Sequence, residues 1–212
     1  MFRIGCFFFV SILFLSCSGS GRKALPFFNT PEFTPLFLSG EEEIKKTVTH
    51  KIDSFRFQNQ NGNIITDKSI KNKIHVANFV FTSCGSICPI MTNHMKLVND
   101  VFGNDSSVVM LSFTVTPWID DVPTLKAYTE LNNIQSNNWH FLTGKKSDIY
   151  SLARQSYFAE EDLGFTKDST EFLHTEHFIL VDKDKRIRGI YNGTLELDIR
   201  QLIKDMHLLK RE

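Results

Sequence analysis

Cysteine is scarce in this chain: four in 212 residues, two of them within the first 17. So few cannot staple a loop-rich disulfide scaffold, and a chain of this length buries a core without staples. Charge of one sign is missing as well. The 24 basic and 24 acidic residues cancel, which removes the clustered basic excess that nucleic-acid binders show, so no nucleic-acid partner is expected. No apolar run reaches the roughly 20 residues of a good membrane-spanning helix. No internal repeat is present, and no proline follows Pro123. Phenylalanine, by contrast, is abundant at 20 residues, and the 42% hydrophobic content is ordinary. Length and composition fit one domain plus an extension.

The extension is N-terminal. Arg3 supplies a positive start, and residues 4–15 are apolar but too short and one-sided to span a membrane. The stretch ends at Leu15-Ser16-Cys17 and continues into Ser18-Gly19-Ser20-Gly21. This resembles a bacterial lipobox, in which a cysteine after a small residue is lipidated at the cleavage point; Phe14 is a looser match than the usual aliphatic. An uncleaved anchor or an ordinary secretory signal is the plain alternative. The expectation is a lipoprotein signal peptide over 1–17, lipidation at Cys17, and a mature protein held to a membrane in the extracytoplasmic cell envelope, where thiols oxidise. Cys6 would leave with the signal. Residues 18–45 read as a tether broken by Pro26, Pro31 and Pro35. Its Phe27, Phe28, Phe33 and Phe37 either pack on the domain, the favoured expectation, or dock a partner. The domain is expected over 46–212.

Within the domain the pattern alternates between strand and helix. Residues 52–57 alternate apolar and polar, and Gln60-Asn61-Gly62-Asn63 is a turn leading to Ile64-Ile65-Thr66, an N-terminal β-hairpin. Residues 74–81 form a largely buried strand. Pro89 suits the first turn of a helix that carries Met91, Met95, Val98 and Phe102 and stops before Gly103. A strand follows over 108–115, a helix opens at Pro123, and Trp139 starts a short strand. Ser147 is the expected cap of another helix. Residues 178–181 and 187–191 flank a hairpin turn, and a last helix starts near Thr194. This is an α/β fold, a central mixed sheet flanked by helices.

The chemistry concentrates in Phe81-Thr82-Ser83-Cys84-Gly85-Ser86-Ile87-Cys88-Pro89-Ile90-Met91. A cysteine pair with three residues between serves either a soft-metal site or a reversible disulfide, and both need an environment that lowers a thiol pKa. A pair between a core strand and the next helix is the thioredoxin-like arrangement, with the helix N-terminus favouring thiolate. Two thiolates and one imidazole suit Cu(I). Seven histidines are available. His50, His75, His94, His140 and His207 read as structural or solvated. His174 and His177 remain, ahead of the strand at 178–181, and the residues alone do not choose between them.

The run Phe81-Thr82-Ser83-Cys84-x-x-x-Cys88-Pro89 followed by Met91 resembles the motif of the Sco/SenC copper-binding proteins, thioredoxin-like proteins associated with assembly of the dinuclear copper centre of cytochrome c oxidase. The likeness extends over about residues 50–205, through Asn61-Gly62, residues 112–117, the helix after Pro123, and Trp139-His140-Phe141-Leu142-Thr143-Gly144. It implies a thioredoxin-like fold and copper held by Cys84, Cys88 and His174, as Cu(I) with Cu(II) left open. It also implies a copper-containing oxidase subunit, or another copper or thiol protein, as partner. His177 is then a neighbour of the site or solvent-facing. The chain departs from the family where a proline and an acidic residue often stand between the cysteines; here these are Gly85 and Ser86. Thr116 replaces the acidic residue before Pro117, and the segment to Pro123 is one residue longer.

Two functions follow. The first is a membrane-tethered copper-binding protein that delivers copper to, or reduces the cysteines of, the oxidase copper site. The second is a thiol–disulfide oxidoreductase of the cell envelope, with Cys84 and Cys88 as its redox pair. The missing late proline and the three-residue spacing both favour the metal reading, since thioredoxin-type exchangers usually place a cis-proline opposite a pair separated by two residues. A zinc site would want a fourth ligand, which His177 could supply. A thiol peroxidase would want its threonine farther ahead of the cysteine than Thr82 is. A permanent disulfide is the plain structural reading.

Overall fold

The computed structural model describes residues 24–159 and 175–212. After a short helix α1 (Glu41–Thr47) come β1 (Arg56–Asn59), β2 (Ile64–Thr66) and β3 (Ile74–Val80). Helix α2 (Ile87–Phe102) leads to β4 (Val108–Thr114), α3 (Val122–Leu131), β5 (Trp139–Thr143) and α4 (Lys146–Ser151). The chain closes with β6 (His177–Val181), β7 (Ile187–Asn192) and α5 (Glu196–Leu209). The seven strands form one sheet in the order β2-β1-β5-β4-β3-β6-β7. β3, β4 and β5 run parallel; the β1–β2 hairpin and β6–β7 add antiparallel edges.

The centre of the sheet is β3 and β4, whose seven residues each are all buried. Parallel strands covered on both faces read as continuous apolar runs, and these do. Their side chains alternate between two cores. Val76, Val80 and Met110 face α2 and α5, with Met91, Met95, Leu202 and Met206. Ala77, Phe79, Leu111 and Phe113 face the other side, where Phe79 stacks on Phe113 at 5.4 Å and Tyr157 closes over both. α2 turns Cys88, Met91, Thr92, Met95, Val98 and Phe102 inward, the helical spacing that the sequence shows.

Two local expectations are corrected. The strand expected over 52–57 begins only at Arg56, because Ile52 spends its N–H on Lys185 O (2.8 Å), across the β6–β7 turn. Ser147 does not cap α4; its hydroxyl donates to Asp148 Oδ1 (2.9 Å), and the helix starts at Lys146 without a side-chain cap. α4 then continues into a wider helical turn over Leu152–Ser156.

Residues 25–36, part of the expected tether, lie against the domain. Leu25, Phe27 and Phe28 are buried. Phe27 and Leu36 bridge each other, and Phe28 bridges Ile187 of β7. Arg188, itself buried, donates to Leu25 O (2.8 Å) and Pro26 O (3.0 Å), pairs with Glu212 (2.7 Å), and lies 4.0 Å over the Phe27 ring. Phe33 sits edge-on to Phe158 and His177. Phe37 stays exposed.

Candidate dithiol and metal site

β3 ends at Val80, and the chain makes a short loop before α2 begins at Ile87. Cys84 sits in that loop, its N–H donating to Phe81 O (3.3 Å), while Cys88 is the second residue of the helix. The first N–H groups of a helix have no intrahelical acceptor. Here the N–H groups of Ser86 and Cys88 point at the Cys84 sulfur, and the Ser86 hydroxyl lies 3.6 Å from it. The two thiols lie close enough to influence each other's acidity, and both are free cysteines.

The surroundings drive the two thiols apart in acidity. Partial burial pushes Cys84 up, but the backbone donors of Cys88 and Ser86, with their side chains, outweigh it and hold the thiol down at about 7. Cys88 is only 4% exposed. Burial pushes it up to about 12, against a bond from the Phe81 backbone and with help from Cys84 and the Asp120 carboxylate. One sulfur is thus half-ionised near neutral pH and partly open to solvent, while the other is protonated and inside. Beside them Tyr128, bonded to Thr92 at 2.8 Å, is pushed up first by burial.

Of the sequence candidates, the structure brings Cys84 and Cys88 together. His174 lies outside the described residues, as does Cys17. Among the described residues no three His, Cys, Asp or Glu side chains gather as a metal-holding group. The remaining histidines have other engagements. His50 Nε2 pairs with Ser156 O at 2.8 Å, and its ring stacks on Phe158. His94 Nδ1 meets Gly193 O at 2.7 Å, and His140 Nδ1 meets the Asn59 amide at 3.3 Å. His75 is buried against Tyr157 Oη at 3.0 Å, and His207 packs on Phe102. His177 opens β6, half-buried against Phe33. β6 runs antiparallel to β3, with His75 opposite Val181 and Ala77 opposite Ile179. The start of β6 therefore lies at the same end of the sheet as the exit of β3, where the cysteines are.

Sequence reasoning missed Asp120. It is fully buried and accepts from the N–H (3.2 Å) and hydroxyl (2.5 Å) of Thr82, from Thr116 Oγ1 (2.9 Å), and from Thr114. Its neighbour Asp121 caps α3 through Thr124 N (2.9 Å). Nothing local in Asp120-Asp121 distinguishes the buried carboxylate from the cap; the only hint is the cluster of threonines at 114, 116 and 82.

Comparison with known proteins places this geometry. The chain is 32% identical over 176 residues to a SCO1 protein homolog of Bacillus subtilis, covering 82% of this chain and 90% of that one. BsSco, described as a member of the Sco family of cytochrome c oxidase assembly proteins with a disulfide switch, superposes with a TM-score of 0.64 at 30% identity. That match covers 76% of this chain and 94% of BsSco. ScoI of Bradyrhizobium japonicum, solved with copper bound, shares the fold at a TM-score of 0.59 and 24% identity, covering 76% of this chain and 99% of that one. The family model described as SCO1/SenC matches residues 44–210. The sheet order, the cysteine pair at the β3–α2 junction and this match converge: the chain belongs to the SCO1/SenC family and has its thioredoxin-like fold.

Proposed function

We propose that the protein is a membrane-tethered carrier that binds copper through Cys84, Cys88 and His174 and serves the dinuclear copper site of a cytochrome c oxidase, by delivering the metal or by keeping that site's cysteines reduced. Relatives described as oxidase assembly proteins, and one solved with copper, support the reading. The observation that carries it is the dithiol: two free thiols four residues apart at a helix N-terminus, one of them already near half-ionised at neutral pH.

The donor set suits the cargo. Soft thiolates select Cu(I) over harder cations. Each ligating sulfur must shed its proton. Cys84 does so readily, whereas Cys88 holds its proton firmly, so copper uptake releases protons and strengthens as pH rises. The described residues supply two sulfurs, and the third donor, His174, is the one that the resemblance to the family implies. Cys17, lipidated, would hold the domain at a membrane in the cell envelope.

The unequal thiols also favour a second reading, thiol–disulfide exchange. The Cys84 thiolate attacks a partner disulfide, and the partner's leaving sulfur takes up a proton. Cys88 then gives up its proton and attacks Cys84 of the mixed disulfide, releasing the partner's second thiol and leaving a Cys84–Cys88 disulfide. One dithiol can serve both roles.

The test is copper titration and X-ray absorption on anaerobically reduced protein. One copper with two sulfurs and one nitrogen is expected. His174→Ala should lose the nitrogen and weaken binding by at least the roughly 10–100-fold that even an outer partner of a metal ligand is worth, with thiol exchange largely intact. Reduced protein that takes up no copper would leave only the exchange reading.

A further inference from the structure

The turn after β4 places two aspartates side by side, and only Asp121 faces solvent. The partners of Asp120 come from two neighbouring strand exits. Thr114 ends β4 and Thr116 follows it in the next turn, while Thr82 belongs to the loop after β3, two residues ahead of Cys84. β3 and β4 are parallel, with Val80 opposite Thr114 and the Val115 N–H donating to Val80 O (2.9 Å). The carboxylate is therefore a cross-brace between two adjacent strand exits, added beyond the last backbone bond of their ladder. A buried carboxylate is tolerated only when its oxygens are fully hydrogen-bonded. Both oxygens are occupied here, and the Thr82 side of the brace grips the cysteine loop at two atoms.

We infer that Asp120 is a positioning residue for the dithiol: through Thr82 it holds the Cys84 loop at the distance and angle from Cys88 that ring closure and reopening require. The same turn carries Trp118 and Ile119, both exposed. The inference rests on Cys84 and Cys88 being the working pair, and it needs no metal.

Its test is the effective molarity of the pair, measured by equilibrating metal-free protein with reduced and oxidised glutathione. This is run beside thermal unfolding for wild type, Asp120→Asn and Thr82→Val. The first variant converts one accepting oxygen to a donor; the second removes only the hydroxyl arm and keeps the Thr82 N–H. Misplaced reacting groups lose one to two orders of magnitude in effective molarity. Asp120→Asn should lose about tenfold, equivalent to about 30 mV for this two-electron couple, and Thr82→Val a smaller amount in the same direction. A purely structural carboxylate would lower the melting temperature and leave the effective molarity of the folded protein alone, and that result overturns the inference. Should Asp120→Asn not fold, Thr82→Val decides: a shift in effective molarity supports the brace and no shift overturns it. A wild-type protein that binds no copper would sink the carrier reading and leave this measurement unaffected.

Discussion

Cys84 and Cys88 are chemically the same side chain, and four residues of chain make them differ. The helix start supplies unpaired N–H donors to Cys84, and the core removes water from Cys88. Alkylation of reduced protein should therefore rise with a midpoint near pH 7 at Cys84, while Cys88 stays unmodified through pH 9; mass spectrometry of the labelled peptide distinguishes them. Ser86→Ala removes a donor to the thiolate, so the Cys84 midpoint should move upward. The reactive pair was legible from two letters and their spacing, because only a few chemistries use cysteines so placed. The acidity difference was not, since it depends on which N–H groups point at which sulfur. Asp120 was illegible for a related reason: a buried carboxylate is identified by partners at 82, 114 and 116, and their convergence is a tertiary fact.

At the scale of elements, β3 carries a second titratable group. His75 is buried in the middle of the sheet, and burial, with Lys185 adding to it, pushes its imidazole down to about 3. The unfolded chain takes up this proton near pH 6.5. Between about 6.5 and 3 the unfolded state therefore binds more protons than the folded one, and stability falls as pH falls through that window. Above it His75 is neutral in both states and adds no pH dependence. His75→Leu should cost about 1–3 kcal/mol at pH 7 by stranding the Tyr157 hydroxyl, yet flatten the acid slope of urea unfolding between pH 6 and 4. Helices and central strands were readable because periods of 3.6 and continuous burial leave strong patterns, as in α2 and β3. The ends were not: the late start of β1 and the uncapped α4 are set by bonds to Lys185 and Asp148, chosen by tertiary placement or by competition between neighbouring side chains. The short helix α1, which straddles the expected boundary between tether and domain, carries no buried residue, so no apolar period announced it.

For the whole molecule, the N-terminal strap is where composition and structure meet. Its prolines break regular elements, but its phenylalanines made packing on the domain the favoured expectation; the structure has Leu25, Phe27 and Phe28 buried and latched by Arg188, with Phe37 left exposed. Removing one partner of a buried charged network typically costs about 3–5 kcal/mol. Arg188→Ala should fall near the lower end, because Asp182 keeps Arg186; chemical denaturation reads this directly. Cys17→Ser should move the protein from the membrane fraction to the soluble one, and retention in membranes would mean an uncleaved anchor instead.

The latch also sets a direction. Phe28 joins Ile187, which lies beside Val181 and through it beside His75, at the far pole of the sheet from Cys84. The reactive sulfur stands roughly 20 Å along β3 from the place where the backbone joins the body. Seven residues, 18–24, separate Cys17 from Leu25, and if Cys17 carries the proposed acyl chain they set its reach at no more than about 25 Å. The sulfur would then look outward from the bilayer and meet clients whose acceptor rises well above the lipid headgroups, leaving any that lie flush with them out of reach.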